Sequence, residues 1–144
     1  MVRVTSILII VFTGLGLLLT PVIGAGFAVV GLSVTGWAWF WLVGPAVYGL
    51  ILGIEGLVYS RRTDKANKLY LEGIGYLIFS GVGSFAFQYY MYSQLSTWQL
   101  NALGMSSGDI FGASFGSSIL TVALMLPYMI PFIIGASRNK TGTY

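Results

Sequence analysis

The chain has 144 residues, of which 56% are apolar, 15% aromatic and only 8% charged. A soluble domain carries about 25% charge, and eleven charged side chains cannot wet the surface of a globule this size. With no Cys and no His, the composition excludes disulfides, thiolate metal sites, iron–sulfur clusters, ordinary haem ligation, most zinc and copper sites and the commonest general base.

The spacing of the charges is as informative as their number. Fifty-one uncharged residues separate Arg3 from Glu55, 36 separate Glu72 from Asp109, and 28 separate Asp109 from Arg138. A helix needs about 20 apolar residues to cross a hydrocarbon layer ~30 Å thick. The sequence therefore predicts an all-α membrane protein, a single four-transmembrane-helix bundle. Its helices are expected over about residues 4–30, 38–59, 69–92 and 110–136. Period-2 alternation is absent and the runs are too long for barrel strands.

The first segment, Arg3 followed by an apolar run and Gly24-Ala25-Gly26, superficially looks like a secretory leader. Its length exceeds a leader's apolar core, and it is expected to stay as the first span, either tilted or kinked at Pro21. The second segment opens on Trp37, Trp39, Phe40 and Trp41, and the third closes on Tyr89, Tyr90 and Tyr92. Amphipathic rings are enriched at the membrane boundary, so both groups mark one interface. With four crossings, Arg3, Arg61, Arg62, Lys65, Lys68, Arg138 and Lys140, all seven bases, fall on the other side. The positive-inside bias then predicts cytoplasmic termini and a cell-membrane, multi-pass protein. It also places the Asn139-Lys140-Thr141 glycosylation triplet in the cytoplasm.

Between the third and fourth spans, Leu95, Trp98, Ala102 and Leu103 recur at helical spacing. This is either a short interfacial helix over about residues 95–103 or a loop packed on the bundle. Ser106-Ser107-Gly108-Asp109 reads as a helix start with Asp109 as a capping acid.

Twenty glycines are about twice the usual share, and most lie inside the apolar runs. Gly49, Gly53 and Gly56 share a side of the second span, and Gly112 and Gly116 form a GxxxG pair in the fourth. In lipid, small residues let helix backbones approach closely, so these five are expected to pack helices. Pro127 and Pro131 lie one turn apart in the fourth span and predict a kink.

Glu55 and Glu72 lie just inside the basic side of the second and third spans. Intramembrane acids default to a functional reading, here a proton or cation site. The bland alternative is an ion pair, since Lys68 and Glu72 stand four apart and Glu55 has bases nearby, or a hydrogen bond from Tyr76 to Glu55. No phosphate loop, nucleophile elbow or zinc motif is present, and the seven bases do not form a nucleic-acid surface. No catalytic residue, cofactor or metal site follows from the residues. The expected role is a non-catalytic structural or accessory subunit of a larger membrane assembly (a respiratory or transport complex, or a membrane-rich virion or filament). Its expected partners are the lipid bilayer and other membrane subunits or copies of itself. The alternative is a small oligomeric transporter or channel using Glu55 and Glu72.

Overall fold

The computed structural model describes residues 1–141, apart from the side chain of Lys140; residues 142–144 lie outside the described residues. Within them the chain is helical throughout, with five α-helices and no strand. Helices α1 (Val2–Val29), α2 (Gly36–Tyr59), α3 (Ala66–Ser93) and α5 (Ile110–Lys140) are long; α4 (Thr97–Ala102) is short. The four long helices are each long and apolar enough to cross a membrane. At 1.5 Å per residue the 28-residue α1 extends ~42 Å, beyond the ~30 Å hydrocarbon layer.

Helix ends follow local chemistry. Gly31 (φ 77°) stops α1 and Gly104 (φ 71°) stops α4 in the left-handed conformation that a side chain resists. Both stops are closed by the paired backbone bonds of a Schellman motif. In α1, Leu32 N–H donates to Phe27 at 2.9 Å and Gly31 N–H to Ala28 at 3.1 Å; Met105 to Leu100 and Gly104 to Asn101 repeat the pattern at 2.9 Å each. Ser96 and Gln99 form a capping box that starts α4. That Ser-x-x-Gln signal is in the sequence and sets the helix two residues later than apolar spacing alone suggests. Asp109 behaves as expected of a capping acid, accepting from Ser106 N–H and Ser106 Oγ, both at 2.7 Å.

The spans are longer than hydropathy indicates. Ala66-Asn67-Lys68 belongs to α3, so Lys68 sits in its first turn and not in the connecting loop. That connection shrinks to a turn of 3-10 helix at Thr63–Lys65 and its flanks. α5 continues to Lys140 because helicity does not require apolar side chains, and polar residues can extend a helix past the end of an apolar run. It also runs unbroken through Pro127 and Pro131, as α1 does through Pro21 and α2 through Pro45. A proline removes one ladder bond, and here the remaining bonds carry the helix across.

Short connections force neighbours to run antiparallel. α1 packs on α2, α2 on α3, α3 on α5, and α5 returns to α1, closing a ring of four. The ring gathers the start of α1, the α2–α3 connection and the end of α5 at one end. There the buried Asn139 donates to the Ser60 carbonyl at 2.6 Å, an enclosed position that agrees poorly with a glycosylated side chain. At the other end the α1–α2 connection is tied to α3: Gln94 bonds Ser33, Thr35 bonds the Tyr90 hydroxyl at 2.8 Å, and Trp37 meets the Tyr90 ring edge-on.

Inside the ring are two apolar clusters. The larger, around Ile9, Leu52, Leu69, Tyr76, Met129 and Phe132, fills the basic half. The smaller, Leu32, Ala38, Phe87 and Met91, fills the opposite end.

Candidate functional site

The seam between α1 and α2 is made by α2's glycines. A Cβ on Gly53 would stand 2.6 Å from Ile10 Cγ1 and 3.1 Å from the Ser6 backbone carbonyl. One on Gly49 would collide with Thr13 and with the Tyr76 hydroxyl, and one on Gly56 with Ser6 Oγ and the Phe132 ring. α1 answers with small polar residues whose hydroxyls are satisfied within their own helix: Ser6 donates to the Val2 carbonyl at 2.7 Å and Thr13 to Ile9 at 2.6 Å. Such internal bonding lets a polar side chain lie in an apolar contact without an orphaned hydrogen.

Gly112 and Gly116 are placed differently. Both are exposed and nothing lies within 4 Å of where their Cβ atoms would stand. No other helix of this chain lies against them. The α3–α5 contact instead runs along the next face of α5, through Ser118 and Thr121. Ser118 Oγ donates to the Gly81 carbonyl at 2.6 Å, and Ser84 meets Thr121 Oγ1 at 3.0 Å. Because Thr121 gives its own proton to the Ser117 carbonyl (2.9 Å), Ser84 is the donor across the interface. A short run of small hydroxyl residues was the only sequence signal for these cross-links.

The two glutamates do come together, and a base comes with them. Lys68 Nζ lies 2.8 Å from Glu55 Oε1 and 3.5 Å from Glu72 Oε1, joining α2 to α3 through one ammonium. The expected i,i+4 pair within α3 is therefore the longer arm of a triad whose shorter arm crosses between helices. Tyr59 lies over the same ammonium, its ring centroid 5.7 Å away. Tyr48, which the sequence did not single out, donates its hydroxyl to the Glu72 backbone carbonyl at 3.3 Å. Tyr76 is not engaged with Glu55; its hydroxyl faces Gly49. The triad carries two acids and one base, and Glu55 Oε2 is buried without a hydrogen-bond partner.

Beyond the triad, α3 sends Tyr76, Ser80 and Ser84 inward at four-residue intervals from Glu72, a rise of roughly 18 Å. They line a cavity of about 240 Å³ between the two apolar clusters, with Thr13 from α1, Pro45 from α2 and Thr121 from α5. Ser80 Oγ is buried there with no partner. All four long helices contribute to this chamber. Among the described residues no three acidic side chains gather as metal ligands.

No family model matches the chain, and neither a curated protein nor a solved structure shows a significant match to it.

Proposed function

We propose that the chain is a non-catalytic subunit of a larger membrane assembly, resident in the cell membrane with both termini in the cytoplasm. The observation that carries this reading is the contrast between two glycine pairs. Gly49 and Gly53 are covered by α1, whereas Gly112 and Gly116 present bare backbone outward from α5 with no helix of this chain against them. Lipid tails give no hydrophobic drive for helices to associate, so a smooth backbone face is useful chiefly where another helix docks. Purification in mild detergent followed by mass measurement tests the proposal: the chain is expected to travel with other membrane proteins or with copies of itself. Gly116→Leu is expected to release those partners while leaving the melting temperature of the isolated chain unchanged. A chain that purifies alone as a monomer overturns the reading.

The orientation is tested on the same material. Because the chain contains no Cys, Asp64→Cys and Ser107→Cys each introduce a unique label site. With cytoplasmic termini, a membrane-impermeant maleimide modifies Ser107→Cys in intact cells and reaches Asp64→Cys only after lysis. The reverse pattern rejects the positive-inside assignment.

A second reading is favoured by a specific arrangement: the net-negative triad and the chamber beyond it with its unpartnered Ser80. In it the chain moves a proton or small cation through the bundle, with Glu55 and Glu72 as the entry charges and the hydroxyls as relays. In reconstituted vesicles this predicts a flux that Glu55→Gln and Glu72→Gln abolish; a flux that survives both, or none at all, rejects it.

A further inference from the structure

None of the residues that line the chamber between the two apolar clusters is charged. Most of its hydroxyl protons are already spent: Thr13 donates to the Ile9 carbonyl, Thr121 to the Ser117 carbonyl and Ser84 to Thr121. Ser80 is different. It is 4% exposed, and its Oγ meets no partner in hydrogen-bonding geometry. The Tyr76 hydroxyl, one turn earlier, is its polar neighbour, and among the described residues neither donates to a carbonyl or carboxylate. A bond between the two uses one of their protons and leaves the other without an acceptor in the chain. A buried donor left in that state is costly.

The chamber is approached from the side. At the basic end α1 and α5 touch, since a Cβ on Gly135 would stand 3.1 Å from the Val2 backbone nitrogen. Farther along, Gly16 lines the chamber with nothing within 4 Å of where its Cβ would stand. A groove of about 740 Å³ between the same two helices shares Phe12, Thr121, Met125 and Tyr128 with the chamber. Its other walls include Leu8 and Leu124, 41% and 68% exposed. The chamber therefore adjoins a surface that meets acyl chains in the membrane reading of the four long helices, on which the inference rests.

These features select the chemistry of an occupant. A charged ligand would be stranded among uncharged walls, so the ligand is neutral. Entry from the lipid side requires that it dissolve in the bilayer, and the spare proton calls for an acceptor oxygen. Trp41, Tyr76 and Phe87 offer flat aromatic faces. The volume, about 240 Å³, is several times the ~30 Å³ share of a water molecule, so a single water satisfies Ser80 without filling the space. Mostly apolar cavities with a few placed polar groups are the usual form of small-molecule sites. We propose that the chamber binds the planar, carbonyl-bearing ring of a lipid-soluble quinone. The Ser80–Tyr76 pair donates to a ring carbonyl, and the tail lies in the groove between α1 and α5. This goes beyond the subunit reading and gives the chamber a neutral occupant in place of the ion of the second reading.

Binding of a radiolabelled decyl-benzoquinone to the full chain in detergent tests this, with excess unlabelled probe defining the saturable part. Saturable binding is expected, and decylbenzene, which has the tail and ring without the carbonyls, is expected to compete poorly. Ser80→Ala combined with Tyr76→Phe removes both hydroxyl protons and is expected to weaken the probe about fivefold, the weight of one hydrogen bond. Gly16→Leu fills the chamber and is expected to abolish saturable binding. Gly112→Leu, outside the chamber walls, is expected to leave it unchanged. Melting temperatures establish that each variant is folded, and Ser80→Ala alone serves if the double variant is not. No saturable binding overturns the site, as does a Gly16→Leu protein that binds like the parent. Parental affinity in the hydroxyl variant, or equal competition by decylbenzene, overturns the carbonyl ring as the occupant. Each of these failures leaves the subunit reading standing, because that reading is tested by co-purification.

Discussion

Gly53→Leu is expected to lower the melting temperature in detergent strongly by forcing α1 and α2 apart. The site has no room for even one carbon: Ile10 Cγ1 lies 2.6 Å and the Ser6 carbonyl 3.1 Å from the position of a Cβ. Ile10 is a flexible side chain and can shift, but the carbonyl belongs to the α1 backbone. Accommodating leucine therefore moves a helix and not a rotamer. Overpacking a tight core costs about 1–3 kcal/mol where side chains alone adjust, and a displaced helix forfeits further van der Waals contact along its length. Two controls separate this from a general intolerance. Leu57→Ile keeps volume on the same helix and is expected to cost less than ~1.5 kcal/mol. Gly112→Leu, on a glycine with open space around it, is expected to leave the melting temperature of the isolated chain where it was. A Gly53→Leu protein as stable as the parent refutes the seam.

Lys68→Met produces the second large effect. One ammonium holds both carboxylates, at 2.8 Å and 3.5 Å, and Glu55 and Glu72 side chains are only 24% and 28% exposed. Deleting the base leaves two like charges close together and partly buried between α2 and α3, where unpaired charge is costly. The carboxylates are partly screened, so the loss is smaller than for a fully buried pair. The diagnostic is the pattern across variants. Glu72→Gln alone leaves a one-to-one pair across α2 and α3 and is expected to be close to neutral. Lys68→Met is expected to lower the melting temperature clearly, and adding Glu55→Gln to it is expected to restore much of the loss by removing one of the stranded charges. If Lys68→Met is as stable as the parent, the triad contributes nothing to the bundle. A double variant worse than Lys68→Met shows that Glu55 is held by something other than Lys68.

The number and order of the long helices were legible in the charge gaps alone, because any residue that interrupts a spanning run has to be solvated or paired. The stops at Gly31 and Gly104, and the Ser106–Asp109 cap, obey rules that act within five residues, so local sequence contains them. The same holds for Ser96 and Gln99, where the signal was present and apolar spacing overrode it. The extents of α3 and α5 were not legible from hydropathy, which measures affinity for lipid and not helicity. For that reason the apolar run alone begins at about residue 69 and leaves Lys68 outside the helix that contains it.

Partner choice was the property that composition left undetermined. Gly49/Gly53 and Gly112/Gly116 are the same motif, yet one pair is sealed by α1 and the other faces outward. A glycine states only that a close approach is permitted; which helix makes the approach depends on how the ring closes. The acids follow the same logic. The sequence put Glu55 and Glu72 at equal depth and offered Lys68 to Glu72 by helical spacing, but the shorter bond goes to Glu55 because α2 and α3 are antiparallel neighbours in that ring. The mainly apolar cavity that Tyr76, Ser80 and Ser84 line arises likewise from side chains scattered over four helices. Sequence alone determined the helices, their caps and the segregation of charge to one end, since those depend on neighbours in the chain and on the solvent. Tertiary structure decided which faces meet, because contact between helices depends on shape and register across the bundle, and no local pattern encodes either.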